Sequence, residues 1–263
     1  MAAVATEIDQ GVGIATLRRA ERHNAFDESL IADLTAALRE LGQSAEARVV
    51  VLSAAGKSFC AGADLGWMRR AAAFGEAENL ADARKLAQLL RTLNELPKPT
   101  IARVQGPAYG GGVGLIAACD IAIATYDAVF ALSEAKLGLI PAVISPYVVE
   151  AIGARRARRY FLTAERFSAA EAYRIGLLHE IVPGVEELDQ AVGELIDALL
   201  ACSPAAQAES KQLLRDLAGR AIDPDLIDHT ARLITRVRAS AEGREGLSAF
   251  LDKRSPAWLP PGL

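Results

Sequence analysis

Glu134 closes an apolar run at 128–132 and is followed by Lys136-Leu137-Gly138-Leu139-Ile140-Pro141, too apolar a segment for a solvated face. These surroundings predict a half-buried carboxylate. Desolvation disfavours its charged form, raises its pKa and suits it to general acid–base work near neutrality. An ion pair with Lys136 or a nearby Arg is the purely structural alternative. A second kind of chemistry belongs to main-chain amides. Gly110-Gly111-Gly112, preceded by Gly106 and followed by Gly114, stands between a predicted strand and a predicted helix, where unpaired N–H groups can face an anion. The spacing is neither GxGxxG nor GxxxxGK[ST], so dinucleotide and phosphate-loop readings lose their support. Close backbone packing is the other use of such glycines. The loop 57–65, Lys57-Ser58-Phe59-Cys60-Ala61-Gly62-Ala63-Asp64-Leu65, consists mainly of small residues that leave amides accessible. If the two loops met around one carbonyl oxygen they would form an oxyanion hole, in which losing one donor costs roughly 10²- to 10³-fold in rate. Read alone, the second loop could equally be a turn packed under a helix.

Other candidates are weaker. Cys60 and Cys119 have no His partner in sequence and read as buried, inert thiols; His179 reads as structural. The run Arg155-Arg156-Ala157-Arg158-Arg159 reads as a solvated or subunit-facing helix surface, and Trp67 and Met68 as a pocket wall, an interface or core.

The elements that must position these groups alternate. Residues 3–8 and 12–17 predict a hairpin around Asp9-Gln10-Gly11, and 27–41 an amphipathic helix carrying Leu30, Ile31, Leu34, Ala37, Leu38 and Leu41. A strand at 48–53, a loop from 54 to about 68, and a long helix bearing Leu86, Leu89, Leu90, Leu93 and Leu96 follow, stopped by Pro97 and Pro99. A strand at 100–104, a tight loop at 106–112, a short buried helix at 113–119 and strands at 121–125 and 128–132 complete an α/β pattern with largely buried parallel strands. Helical periodicity dominates the rest, at 155–162, 169–175, 188–200, 204–217 and 226–237.

With 263 residues, 51% hydrophobic and 24% charged, the chain predicts one large domain or one with an appendage, and excludes disorder for most of its length. Lys and Arg number 29 against 33 Asp and Glu, a net charge of −4 without a long basic block, so nucleic acid is not expected as a partner. A signal-like start and an apolar membrane span are both missing, which predicts a cytoplasmic protein without membrane contact. Three separated cysteines and three histidines without paired spacing argue against a disulfide framework and a bound metal.

Asn24-Ala25-Phe26, Phe59 with its following Cys60-Ala61-Gly62-Ala63-Asp64-Leu65, the Ile101-Ala102-Arg103-Val104-Gln105-Gly106 segment with Gly110-Gly111-Gly112, Ala118-Cys119-Asp120, and residues 130–141 occur in an order that resembles the crotonase superfamily, the enoyl-CoA hydratase/isomerase group. The likeness continues through Phe161-Leu162-Thr163, residues 172–178 and Phe250-Leu251-Asp252-Lys253-Arg254-Ser255-Pro256. It implies a crotonase-like spiral of ββα units over residues 1–200 and a C-terminal helical trimerisation region over 201–263. It further implies an acyl-CoA thioester as substrate, so that coenzyme A arrives with the substrate and no separate cofactor is needed, and a homotrimer or a hexamer built as a dimer of trimers. By the same resemblance the N–H groups of Ala63 and Gly111 form the oxyanion hole and Glu134 is the second catalytic carboxylate. Coenzyme A is met by Ala25, Ala61, Ala63, Asp64 and Leu65, its phosphates by Arg22 and Lys57, and its nucleotide by Phe250 and Lys253 of a neighbouring subunit. Trp67, Tyr109, Gly114, Pro141 and Ile144 belong to the acyl pocket.

The sequence departs from the family pattern twice. Gly114 stands where typical hydratases carry their first carboxylate, so Glu134 must either serve both ends of a hydration or move one proton between Cα and Cγ, as isomerases do. Ala142-Val143-Ile144-Ser145-Pro146-Tyr147 replaces a Gly-rich stretch with bulkier groups, with Ser145 expected as helix N-cap and Pro146 in the first helical position. The combination of Gly110-Gly111-Gly112-Val113-Gly114-Leu115, Ala63-Asp64-Leu65-Gly66-Trp67-Met68 and residues 142–147 is similar to bacterial hydratases of branched glutaconyl-CoA esters, methylglutaconyl-CoA hydratase-like members of leucine or acyclic terpenoid breakdown. A binding paralogue without turnover is the remaining alternative.

Overall fold

The computed structural model describes residues 2–259. It opens with the antiparallel hairpin β1 (Val4–Asp9) and β2 (Val12–Leu17), turned at Gln10 and Gly11, both at positive φ as a tight two-residue turn requires. From β2 onward the main sheet is parallel, through β3 (Val49–Ala54), β4 (Thr100–Val104), β6 (Ile121–Thr125) and β9 (Glu180–Val182), in the order β1-β2-β3-β4-β6-β9. Every residue of β3 is buried, the signature of a strand covered on both faces.

One sheet face packs on α1 (Glu28–Gln43), α3 (Glu76–Asn94) and α4 (Gly111–Ala118), through Leu34, Leu38, Leu52, Leu90 and Val104 among others. The other presents Val49, Val51, Ile101 and Ile123 to Leu188, Ala191 and Val192 of α7 (Val185–Leu200).

Between main-sheet strands the chain makes excursions into a second β layer. Parallel bridges join Phe26 to Ala63 and Cys60 to Ala108, and β5 (Ala108–Tyr109) then pairs with β7 (Val129–Ala131), which pairs with β8 (Arg166–Ser168). Successive turns of the chain thus visit both layers, the turn between β6 and β9 supplying both β7 and β8 to the second, which is the expected spiral. α5 (Ser145–Thr163) and α6 (Ala169–Ile175) lie in the last turn. From 204 onward α8 (Pro204–Leu217), α9 (Pro224–Ala239) and α10 (Ala241–Leu251) form the C-terminal helical region. Among the described residues no helix is long and apolar enough to cross a membrane.

Three local expectations are corrected. The loop expected to reach about residue 68 ends at Asp64, whose side chain accepts a hydrogen bond from Trp67 N–H and caps a separate two-turn helix, α2 (Leu65–Ala71). Ser145 is not the N-cap of α5: Ile144 holds that place, Ser145 is already helical, and its hydroxyl donates to the Ala142 carbonyl. Residues 136–140 are exposed in the chain, Leu137, Leu139 and Ile140 at 58, 55 and 75%, because the segment forms the rim of a cavity rather than core.

Candidate active site

Three turns of the spiral deliver groups to one cavity of about 780 Å³, within the range of small-molecule sites. Its walls include Phe26, Ala61, Ala63, Trp67 and Met68, Gly110 and Gly111 at the start of α4, and Glu134 with residues 139–144. Among the described lining residues there is no Lys or Arg.

The loop 57–65 is fixed by Asn24. Its buried amide donates to the carbonyls of Ala55 and Ser58, while its Oδ1 accepts from Arg19 N–H. The next residues clamp Ala63: Phe26 N–H donates to the Gly62 carbonyl at 2.6 Å, and Asp64 N–H donates to the Phe26 carbonyl at 2.7 Å. In a parallel bridge of this form the flanking residues make both bonds, which turns the N–H of Ala63 away from Phe26.

Gly110 precedes α4 at φ 49°, and a Cβ there would lie 3.0 Å from Glu134 Oε1. Glycine therefore both permits the turn and makes room for the carboxylate. Gly111 is the first residue of α4, where an N–H has no partner within the helix. The glycines also serve close packing, since Cβ atoms at Gly111 and Gly112 would meet the Phe26 ring at 2.7 Å and the Cys60 carbonyl oxygen at 2.6 Å. The close-packing use anticipated from sequence is therefore realised at both positions.

Glu134 opens a one-turn 3₁₀ segment, Glu134–Leu137, after β7. It is half-buried, its Oε2 is buried without a hydrogen-bond partner, and desolvation raises its pKa against the lowering effect of its own backbone N–H. No ion pair to Lys136 or an Arg forms among the described residues, so the structural alternative falls away.

Ala61, Ala63, Leu65, Trp67, Gly111, Glu134, Pro141 and Ile144 line this cavity together. Gly114 lies behind it: a Cβ there would stand 2.3 Å from Ile144 Cγ2, so the Ile144 side chain fills the space a residue-114 side chain would need. Tyr109 does not line the cavity as expected, because its ring stacks under the Arg166 guanidinium on the second β layer. Arg22 pairs with Asp64 at 3.4 Å on the outer side of the loop, and Asp64 spends its other oxygen on capping α2. Ala25 is buried and Lys57 exposed. Phe250 and Lys253, at the exposed end of α10, stand apart from the cavity lining.

The remaining candidates are structural. Burial pushes the Cys60 thiol up to about 12 and that of Cys119 higher still. His179 Nδ1 accepts from Ala122 N–H, joining β6 to the turn before β9. No cluster of three or more potential metal ligands occurs among the described residues. The sequence reading missed Asn24 and Phe26 as the groups that hold the amides, and Asp82 on α3, whose carboxylate holds Trp67. An acidic residue in the apolar register 82, 86, 89, 93 was the available signal.

Residues 7–260 match the family described as enoyl-CoA hydratase/isomerase. The chain belongs to the enoyl-CoA hydratase/isomerase family. Among solved structures of this family, an enoyl-CoA hydratase from Shewanella pealeana is 49% identical with a TM-score of 0.95, covering 97% of this chain and 96% of that one. Pseudomonas aeruginosa AtuE is 37% identical with a TM-score of 0.92 over 97% of this chain and 99% of its own. An enoyl-CoA hydratase of Alternaria alternata is 35% identical over 247 residues, 92% of this chain and 79% of that one. The family assignment agrees with the spiral.

Proposed function

We infer that the protein is an enoyl-CoA hydratase in which Glu134 alone carries out both proton transfers. The observation that carries this reading is the convergence of Ala63, Gly111 and Glu134 on one cavity. In the hydration, the carboxylate takes a proton from water as the water oxygen bonds to Cβ. The electron pair of the double bond moves to Cα and the thioester carbonyl, and the N–H groups of Ala63 and Gly111 hold the enolate oxygen. The protonated Glu134 then returns its proton to Cα on the same face. A pKa raised by desolvation brings the group closer to the range in which it can both accept and release a proton near neutrality.

Ala25, Ala61, Asp64 and Leu65 would meet the coenzyme A moiety beside the cavity mouth, with Arg22 and Lys57 near its phosphates. Phe250 and Lys253 would reach the nucleotide from the next subunit of a trimer, or of a hexamer of paired trimers, in the cytoplasm. The acyl chain is branched, as in 3-methylglutaconyl-CoA. A cavity of about 780 Å³ supports a branched chain by its volume, and Asn79 is a polar lining residue that a distal carboxylate would meet.

Turnover on straight, branched and dicarboxylic enoyl-CoA esters tests the substrate class: preference for a branched ester is expected, and preference for straight chains would remove the finer reading. Gly114 and the Ile144 side chain over it favour a second reading, a Δ3,Δ2-enoyl-CoA isomerase, because no second acid faces Glu134 from that position. Reaction in heavy-oxygen water separates the two. Label at Cβ is the hydratase outcome; a shifted double bond without label is the isomerase outcome. A paralogue that binds acyl-CoA without turnover would convert no ester.

A further inference from the structure

α3 carries an anomaly that catalysis leaves unexplained. Its inward-facing residues are Asp82, Leu86, Leu89, Leu90 and Leu93, so a carboxylate occupies a place where the periodicity calls for an apolar side chain. Asp82 is only 9% exposed and forms no ion pair among the described residues. Its hydrogen-bonding partner is the indole of Trp67, whose Nε1–H donates to Asp82 Oδ2 at 3.1 Å in a buried contact. Burying a carboxylate is unfavourable unless hydrogen bonds or opposite charge compensate it, and here the indole N–H supplies a charge-assisted bond that ties the two side chains together.

What it holds is a wall of the acyl cavity. Trp67 lines that cavity beside Met68 and Ala71 of α2, and Asn79 and Leu86, one turn either side of Asp82, line it from α3. α2 is only two turns long. Its ties to the rest of the chain include the Asp64 cap at its start and the exposed Arg70–Glu28 pair near its end. The indole–carboxylate bond is the buried cross-tie between them, and it fixes the direction of a ring with few rotatable bonds.

We propose that Asp82 is a positioning residue for acyl-chain recognition, locking the Trp67 ring as the wall against which the distal part of the acyl chain packs. The inference rests on the proposed acyl-CoA site but not on the reaction performed there. Its test therefore uses binding without turnover: calorimetric titration of the full-length protein with saturated butyryl-CoA and octanoyl-CoA. In Asp82→Ala the affinity for octanoyl-CoA falls about tenfold while that for butyryl-CoA changes by less than about twofold, the size expected when one buried hydrogen bond that orders a wall is removed. Asp82→Asn, which keeps an acceptor for the indole, restores the octanoyl affinity. Trp67→Phe, which removes the donor, shows the same chain-length effect, and adding Asp82→Ala to it produces no further loss. Should Asp82→Ala not fold, the Trp67→Phe and Asp82→Asn pair carries the same prediction. Equal loss for both esters, or no loss for either, overturns the role of Asp82 alone. Failure of the unaltered protein to bind either ester overturns the acyl-CoA site and this inference with it.

Discussion

The carboxyl of Glu134 loses solvent without gaining a partner for Oε2, and this has a consequence for stability as well as for proton transfer. Its native pKa is raised above the ordinary 4.5. Below that value the group is neutral in both the folded and the unfolded chain and costs nothing. As pH rises the unfolded chain ionises first, so stability falls, and above the native pKa the cost is complete. Glu134→Gln is therefore expected to raise the thermal midpoint at pH ~8 and leave it unchanged near pH ~4; a gain of equal size at both would show that the carboxylate is not desolvated. Gly114 gives a steric counterpart. Alanine in a helix interior gains up to about 1 kcal/mol over glycine, but a Cβ placed 2.3 Å from Ile144 Cγ2 brings an overpacking cost of about 1–3 kcal/mol, so the clash decides the sign. Gly114→Ala should destabilise by denaturant unfolding. Combined with Ile144→Ala it should lose less than the sum of the two single changes.

At the scale of elements, α8 is docked by Lys211, whose Nζ donates to Asp120 Oδ2 at 2.6 Å and to the Lys98 carbonyl at 2.9 Å. Asp120 keeps two further bonds from the N–H and hydroxyl of Thr100, so removing the lysine strands a partly satisfied carboxylate rather than a bare one. Lys211→Met is expected to lower the unfolding free energy by about 1–3 kcal/mol, measured by chemical denaturation, with an unchanged value contradicting the docking role. Elements whose physics is local were legible in the sequence: α1 from its apolar stripe and β3 from its β-branched run. Two- and three-residue strands such as β5, β8 and β9 are too short to show a period, and Gly243 and Gly246 hide α10 from a propensity reading. The site was legible as three loops; that Phe26 bridges to Ala63, that Ile144 covers Gly114 and that Asp82 meets Trp67 are contacts between distant residues that no local pattern encodes.

For the whole molecule, winding the chain through two β layers places loops far apart in sequence beside one another. Residues 57–65 come from the turn after β3, Gly111 from the turn after β4 and Glu134 from the end of β7. The C-terminal helices leave Leu214, Ile227, Ile234, Leu247 and Phe250 exposed in the single chain, which accords with the proposed trimer or hexamer. Equilibrium sedimentation should therefore give a mass that is a multiple of three chains, and a monomer at micromolar concentration would remove Phe250 and Lys253 from the nucleotide site. The most direct test of the central claim compares the unaltered protein with Glu134→Gln on the best enoyl-CoA ester, with binding of the saturated analogue measured in parallel. The expected result is a fall in kcat of about 10²- to 10⁴-fold with analogue binding retained, the range for loss of a general acid–base group. A kcat within about threefold of the unaltered protein's would contradict the account, since that range leaves no room for so small a loss.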